Sequence, residues 1–321
     1  MKDCMELYTR AALNEGGISK EQAFELLEMP EKELFASATA IRERFFGNKV
    51  EICYIINAKS GNCGMNCKFC SQSGHNSADV ETYPLLSQEK LEEIVDGWAE
   101  YPVHRCGLVT SGGALSDDDV ESLAKFVESR AGKKGAQMCG SLGRLKHDAL
   151  HRLKEAGMTR LHHNLEACES FYPNVCTTQT WRDRLDTVRQ ALDNGLEICC
   201  GGLFGLGETW SDRFDFAMEL KREGITNVPL NFLYPHAGTP LGNRPVMPAE
   251  EALRIIALFR HLMPEASLRI CGGRVSVLKE RQYEMFAAGA SAFMTGNYLT
   301  IAGQGVETDL AKLAELGLEI A

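Results

Sequence analysis

Cys63, Cys67 and Cys70 fall in the stretch Cys63-Gly64-Met65-Asn66-Cys67-Lys68-Phe69-Cys70, a C-x3-C-x2-C pattern with an aromatic residue before the last cysteine. Three thiolates at that spacing can converge on one soft metal centre from a single loop. Zinc wants a fourth protein ligand close by, commonly from a second C-x2-C pair or a His pair, and neither follows at such a spacing. Three cysteines on a cubane of iron and sulfide would instead leave one iron open. An open iron can hold a small molecule and pass it an electron. The plain alternatives are a zinc loop, a disulfide cluster or three buried thiols, and buried thiols need no fixed spacing.

Four more cysteines, Cys106, Cys139, Cys200 and Cys271, sit in β-rich runs. Side chains on a strand alternate between faces, so only one of Cys199 and Cys200 can point into a barrel, while Arg269 and Cys271 share a face. Taken singly, each is a small buried hydrophobe. Taken together, four thiols on four strands can surround one interior point. Cys168 and Cys176 have no obvious partner in the sequence, and Cys4 and Cys53 read as structural or incidental. Among polar residues, Asn164 and Glu166 share a face at the top of one run and Asn231 ends another. A carboxylate can accept both hydroxyls of a ribose, and an amide offers a donor and an acceptor. Gly201 and Gly202 end a run where absent side chains admit a ligand to the backbone, or simply allow a tight turn. His162 and His163 are adjacent, face opposite ways and read as polar contacts rather than as a shared metal site.

The elements that must position these residues alternate regularly. β-rich runs fall near 51–57, 104–110, 136–142, 159–165, 196–203, 226–233, 267–272 and 291–295. Helical patterns separate them at 87–100, 116–131, 144–156, 180–194, 210–223, 248–263 and 274–289. Ser87, Ser116 and Ser211 stand as caps, and Gly157, Gly195, Gly224 and Gly289 close helices. Residues 18–47 predict two further helices, the first capped by Ser19 with Gln22 and the two separated by Pro30. The count is that of an α/β protein, a (β/α)8 TIM-type barrel with an N-terminal helical extension; a doubly wound open sheet is the main competitor. One barrel domain over 1–321 is expected, with N-terminal helices at 1–48, the barrel at 49–300 and a C-terminal tail at 301–321. The cysteine loop then follows the first strand, at the C-terminal face where barrel active sites lie.

The totals agree. The 321 residues are 44% hydrophobic and 24% charged, with 34 Lys and Arg against 44 Asp and Glu and a net charge of −10. That balance argues against nonspecific nucleic-acid binding. No apolar stretch is long enough to span a bilayer, and a cytoplasmic location with no membrane contact is expected. In such a protein, 12 cysteines read as metal ligands or reduced thiols.

The cysteine loop, with Phe69 before Cys70, resembles the radical S-adenosylmethionine (SAM) superfamily. The resemblance implies a 4Fe–4S cluster on Cys63, Cys67 and Cys70, with SAM on the open iron and cleaved to a 5′-deoxyadenosyl radical. The strand cysteines, Gly201-Gly202-Leu203-Phe204-Gly205-Leu206-Gly207-Glu208, His163-Asn164-Leu165-Glu166, and Asn231 with Gly238-Thr239-Pro240-Leu241 narrow it further. Over nearly its whole length the chain resembles the biotin synthase family. That implies conversion of dethiobiotin to biotin, with sulfur supplied by a second, auxiliary cluster deep in the barrel. Usual members hold a 2Fe–2S cluster there on three Cys and one Arg, matched here by Cys106, Cys139, Cys200 and Arg269. The resemblance also implies SAM contacts from Asn164, Glu166, Gly201 and Gly202, and substrate contacts from Asn164 and Asn231; His162, in place of the substrate-side Asn, is expected among the substrate contacts, and no side chain is assigned as catalytic. A flavodoxin or ferredoxin reductant and a homodimer are further family expectations.

Three positions depart from the family pattern: Glu166 replaces Asp, His162 replaces a substrate-side Asn, and Cys271 replaces Ser. A thiolate is the ordinary ligand for an iron–sulfur cluster, whereas an Arg is long and always charged. Four thiolates spread over four strands enclose a volume, which favours a 4Fe-type auxiliary cluster on Cys106, Cys139, Cys200 and Cys271 over a 2Fe–2S rhomb. Arg269 is then a nearby charge. The competing readings are a barrel of the hydrogenase-maturase or methylornithine-synthase type, or an iron–sulfur electron carrier, which would not explain the polar strand-end pocket.

Overall fold

The alternation in the sequence folds into a parallel sheet curled on itself. The computed structural model describes residues 2–14 and 16–321; Met1, where the expected N-terminal helical region begins, and the side chain of Cys4 lie outside the described residues. The strands are β1 (Lys49–Lys59), β2 (Arg105–Thr110), β3 (Gln137–Ser141), β4 (Arg160–His162), β5 (Glu197–Cys199), β6 (Gly202–Phe204), β7 (Asn227–Phe232), β8 (Ser267–Ile270) and β9 (Ala292–Met294). Their order is β5-β4-β3-β2-β1-β9-β8-β7-β6. The two ends of that path are halves of one expected strand, parted by Cys200 and Gly201. β5 pairs back to β4 and β6 pairs on to β7. The Cys200 N–H donates to the Asn227 carbonyl at 2.9 Å, so the sheet closes as the expected eight-position barrel with its fifth strand broken.

That break has a steric cause. A Cβ at Gly201 would sit 1.9 Å from the Pro229 carbonyl oxygen, and one at Gly202 would sit 2.5 Å from that of Glu166. Only glycine lets the neighbouring backbones approach so closely.

The helices are α1 (Lys2–Asn14), α2 (Lys20–Leu26), α3 (Glu31–Phe46), α4 (Gln88–Asp96), α5 (Asp117–Ser129), α6 (His147–Glu155), α7 (Trp181–Asp193), α8 (Trp210–Arg222), α9 (Ala249–Leu262) and α10 (Val306–Glu315). Ser19 and Gln22 form the expected capping box, and Ser87 and Ser116 cap α4 and α5. α8 is capped by Thr209 rather than Ser211, because Thr209 and Asp212 exchange hydrogen bonds. The N-terminal helices lean on the last turns of α9. There Ile18 N–H donates to the His261 carbonyl at 3.1 Å, and Ser37 Oγ meets His261 Nε2 at 2.7 Å.

Two regions differ from the sequence expectation, whereas α1 falls within the expected N-terminal helical stretch. Residues 274–289 form a π turn at Arg274–Leu278 and a 3-10 turn at Lys279–Met285 instead of an α-helix. The stretch 301–321, expected as a tail, contains α10 and β10 (Glu319–Ile320), and β10 pairs with Lys49 and Val50 of β1. The two late segments are tied together by a fully buried ion pair, in which Arg274 Nη1 and Nη2 meet Asp309 Oδ1 and Oδ2 at 2.9 and 2.8 Å. Tyr283 and Thr295 hydroxyls also donate to Asp309, at 2.8 and 2.7 Å. Among the described residues no helix is long and apolar enough to cross a membrane.

Candidate active site

The barrel encloses a cavity of about 410 Å³, the size of a small-molecule site. At its mouth lies the cysteine loop. Its backbone is held from within: Cys63 N–H donates to the Gln72 carbonyl at 3.0 Å, and Gly74 N–H donates to that of Cys63 at 2.8 Å. Asn76 Nδ2 donates to the Cys67 and Cys70 carbonyls at 3.2 and 2.8 Å. The loop's backbone is therefore held without its thiols, and Cys63, Cys67 and Cys70 form no disulfide and are partly exposed. Phe69 and Cys70 reach the cavity wall. Among the described residues no three His, Cys, Asp or Glu side chains converge as a single-ion site. A four-iron cluster asks for the opposite, thiols spread one per iron, and the loop's donor set fits one.

Cys176, without a partner in the sequence reading, stands against this loop. Lys68 N–H donates to the Val175 carbonyl at 3.0 Å, and Asn66 Oδ1 accepts from Thr177 N–H at 2.9 Å. A hydrogen bond from Cys67 draws the Cys176 thiol down to about 4 and pushes that of Cys67 up.

Strand phase decides which other thiols face the cavity. On β1, Val50, Ile52, Tyr54, Ile56 and Ala58 are buried against the helix layer, where Tyr54 stacks on Trp98 at 4.2 Å. The alternate set, which includes Cys53, turns inward. On β2 the cavity takes Arg105, Gly107 and Val109, so Cys106 points outward, paired in register with Tyr54. On β5 the inward thiol is Cys199, and Cys200 is fully buried in the surrounding apolar core. Cys139, Arg269 and Cys271 face the cavity as expected. The four thiols around the interior are thus Cys53, Cys139, Cys199 and Cys271, and the expected placements of Cys106 and Cys200 are corrected. Burial pushes the Cys139 thiol up to about 12, with Arg105 and Arg160 pulling against it. Burial likewise raises Cys53 and Cys199, opposed chiefly by Arg269.

Below the thiols the barrel floor is charged. Arg269 Nη2 donates to Glu51 Oε2 at 2.7 Å. Arg105 Nε and Arg160 Nη1 share Glu51 Oε1 at 3.2 and 3.4 Å. Both arginines also reach Glu197 Oε2, at 3.0 and 2.7 Å. These cations hold the Glu51 carboxyl down at about 2 against the opposing effect of burial. Three guanidiniums face two carboxylates, and the remaining positive charge suits an anionic iron–thiolate group. Arg269 Nη1 is buried without a hydrogen-bond partner among the described residues.

The expected polar contacts gather above the thiols. His162, Asn164, Glu166 and Asn231 all line the cavity, while His163 is buried on the opposite face. Burial lowers His162 to about 4, so it sits neutral. Asn164 Oδ1 accepts from Gly201 N–H at 3.1 Å, and Asn231 Nδ2 donates to the Gly202 carbonyl at 3.1 Å. Gly201 and Gly202 are therefore occupied by strand neighbours and by these two amides, and they do not line the cavity. Glu166 has φ +69°, unusual for a residue with a side chain. Its Oε1 lies 3.4 Å from Arg184, whose Nε also donates to the Asn164 carbonyl.

Comparison with known proteins agrees with this geometry. Residues 58–220 match the radical SAM superfamily and residues 229–319 match the biotin and thiamin synthesis associated domain. The chain is 50% identical over 315 residues to a biotin synthase from Desulfovibrio desulfuricans, covering 98% of both proteins. It is 41% identical over 320 residues to one from Pelotomaculum thermopropionicum, covering 100% of this chain and 97% of that protein. In fold it matches a crystal structure of methylornithine synthase with a TM-score of 0.85 at 19% identity, over 98% of this chain and 97% of that one. A FeFe-hydrogenase maturase matches with a TM-score of 0.82 at 16% identity, over 99% of this chain and 76% of that one.

Proposed function

The chain belongs to the biotin synthase family, and from that premise we infer that it converts dethiobiotin to biotin by radical SAM sulfur insertion. The observation that carries this reading is the single cavity reached both by the loop cysteine Cys70 and by the four deep thiols. Cys63, Cys67 and Cys70 would hold the SAM-binding 4Fe–4S cluster. Cys53, Cys139, Cys199 and Cys271 would hold the auxiliary cluster, and four inward thiols favour a 4Fe type over 2Fe–2S. When bound, these groups supply the electron, the deoxyadenosyl radical and the sulfur.

The chain's own residues bind and orient. Asn164 and Glu166 present an amide and a carboxylate at the mouth to SAM, held in place by Arg184. Asn231 and the neutral His162 face the substrate below. Ile55, Val109 and Leu203 add apolar wall to the cavity. A flavodoxin or ferredoxin reductant, a homodimer and a cytoplasmic location complete the reading and rest on family membership.

An anaerobic assay with SAM, reductant and dethiobiotin should yield biotin and 5′-deoxyadenosine. The triple variant Cys63→Ala, Cys67→Ala, Cys70→Ala should make neither while keeping the deep cluster. SAM cleavage without biotin, together with no dethiobiotin binding, would assign the barrel to another radical reaction.

A further inference from the structure

Glu51 was not among the residues that the sequence suggested for the site, yet it is placed to set what Arg269 can do. β1 and β8 both pair with β9, and Glu51 and Arg269 are each in register with Ala292. The two side chains therefore meet at one level across a residue too small to separate them. Cys53 and Cys271 follow two residues after Glu51 and Arg269 on the same inward faces, one step up the barrel. Both oxygens of Glu51 are engaged: Oε2 by Arg269 at 2.7 Å, and Oε1 by Arg105 and Arg160.

This arrangement fixes one end of the Arg269 guanidinium and leaves the other for the cavity. Arg269 is 3% exposed and lines the cavity, and its Nη1 is buried without a hydrogen-bond partner among the described residues. The guanidinium lies beside Cys53 and Cys199. A guanidinium in an ion pair has donors and no acceptor lone pair, so it can donate to sulfide or thiolate but has no lone pair to give to iron. Four inward thiols already supply one ligand per iron of a four-iron group.

We propose that Glu51 is a positioning residue that holds Arg269 as a hydrogen-bond donor to the sulfur of the deep cluster, rather than as an iron ligand. The proposal rests on the auxiliary-cluster reading above. A charge-assisted N–H···S contact from the floor would stabilise the negative charge of a cluster held on the thiols above it.

The test uses the full chain carrying Cys63→Ala, Cys67→Ala and Cys70→Ala, so that only the deep cluster loads. Iron and sulfide are counted after anaerobic reconstitution. Electron–nuclear double resonance on the one-electron-reduced cluster then reads nitrogen couplings and exchangeable protons. The expected result is weak nitrogen coupling only, plus an exchangeable proton that Arg269→Met removes without loss of iron. Glu51→Gln should change or abolish that proton signal, again with iron retained, and should change nothing further in the Arg269→Met background. Strong, directly bonded nitrogen coupling in the parent would overturn the proposal even if neither variant folds. Loss of iron in Arg269→Met, or a proton signal indifferent to Glu51→Gln, would overturn it too. Absence of any iron in the parent would instead remove the auxiliary-cluster reading itself, and the proposal with it.

Discussion

Exchanging thiols on opposite faces of the same strands tests the site most directly. Cys106→Ala and Cys200→Ala remove sulfurs from the apolar layer outside the barrel. Cys53→Ala and Cys271→Ala remove them from the cavity wall. Each outward deletion resembles the loss of one buried methyl-sized group and should cost about 1 kcal/mol of stability. It should leave iron untouched. With two four-iron clusters the parent should carry about eight irons per chain. The double variant Cys106→Ala/Cys200→Ala should keep about eight, while Cys53→Ala/Cys271→Ala should fall toward about four. Iron and sulfide counts on anaerobically reconstituted protein, with Mössbauer spectra to identify the clusters, read the difference. If the outward pair loses half the iron, the strand phases are wrong. If the inward pair keeps about six irons, the deep site is a two-iron cluster on Cys139, Cys199 and Arg269.

Three further outcomes follow from the packing. Asp309→Ala leaves Arg274 buried and unpaired, so urea unfolding should show a loss of about 3–5 kcal/mol; a loss under about 1 kcal/mol would mean the clamp is not formed. Gly201→Ala should destabilise the cofactor-free chain by at least about 2 kcal/mol, because its Cβ would meet the Pro229 carbonyl oxygen. An apo protein as stable as the parent, impaired only in SAM binding, would restore the ligand-approach explanation. His261 is lowered from 6.5 to about 4 by burial, so the unfolded chain takes up the proton first as pH falls. Its stabilising contribution is present above pH 6.5 and is lost toward pH 4, by about 2 kcal/mol between pH 7.5 and 5. His261→Gln should flatten that part of the stability profile, and an unchanged slope would exclude His261 as its source.

The barrel was legible in the sequence because its helices announce their ends chemically. Ser19, Ser87 and Ser116 cap where expected, and Gly195 and Gly224 adopt positive φ just past α7 and α8. The phase of the inner strands was less legible. Thiols and aliphatic side chains are equally welcome against the helix layer and in the barrel, so Cys106 and Cys200 gave no sign of facing out. The missing signal was charge. Glu51, Arg105, Glu197 and Arg269 sit in otherwise apolar strands, and a charge on a barrel strand belongs on the face with polar partners. Counting two residues on from Glu51, Glu197 and Arg269 reaches Cys53, Cys199 and Cys271. The late segments 274–285 and 306–320 were missed for another reason, since their order depends on the buried Arg274–Asp309 pair, a long-range contact with no local pattern.

The ionic floor also decides the traffic through the molecule. Glu51, Arg105, Arg160 and Arg269 fill the barrel beneath the thiols with mutually bonded side chains. Passage from that end would require breaking a part-buried ionic network, so on the proposed reading substrate, product, iron and sulfide would all use the mouth beside the cysteine loop. If the deep thiols hold the proposed cluster, whatever restores its sulfur would enter through the same mouth as the substrate, so resupply and turnover would compete for that passage.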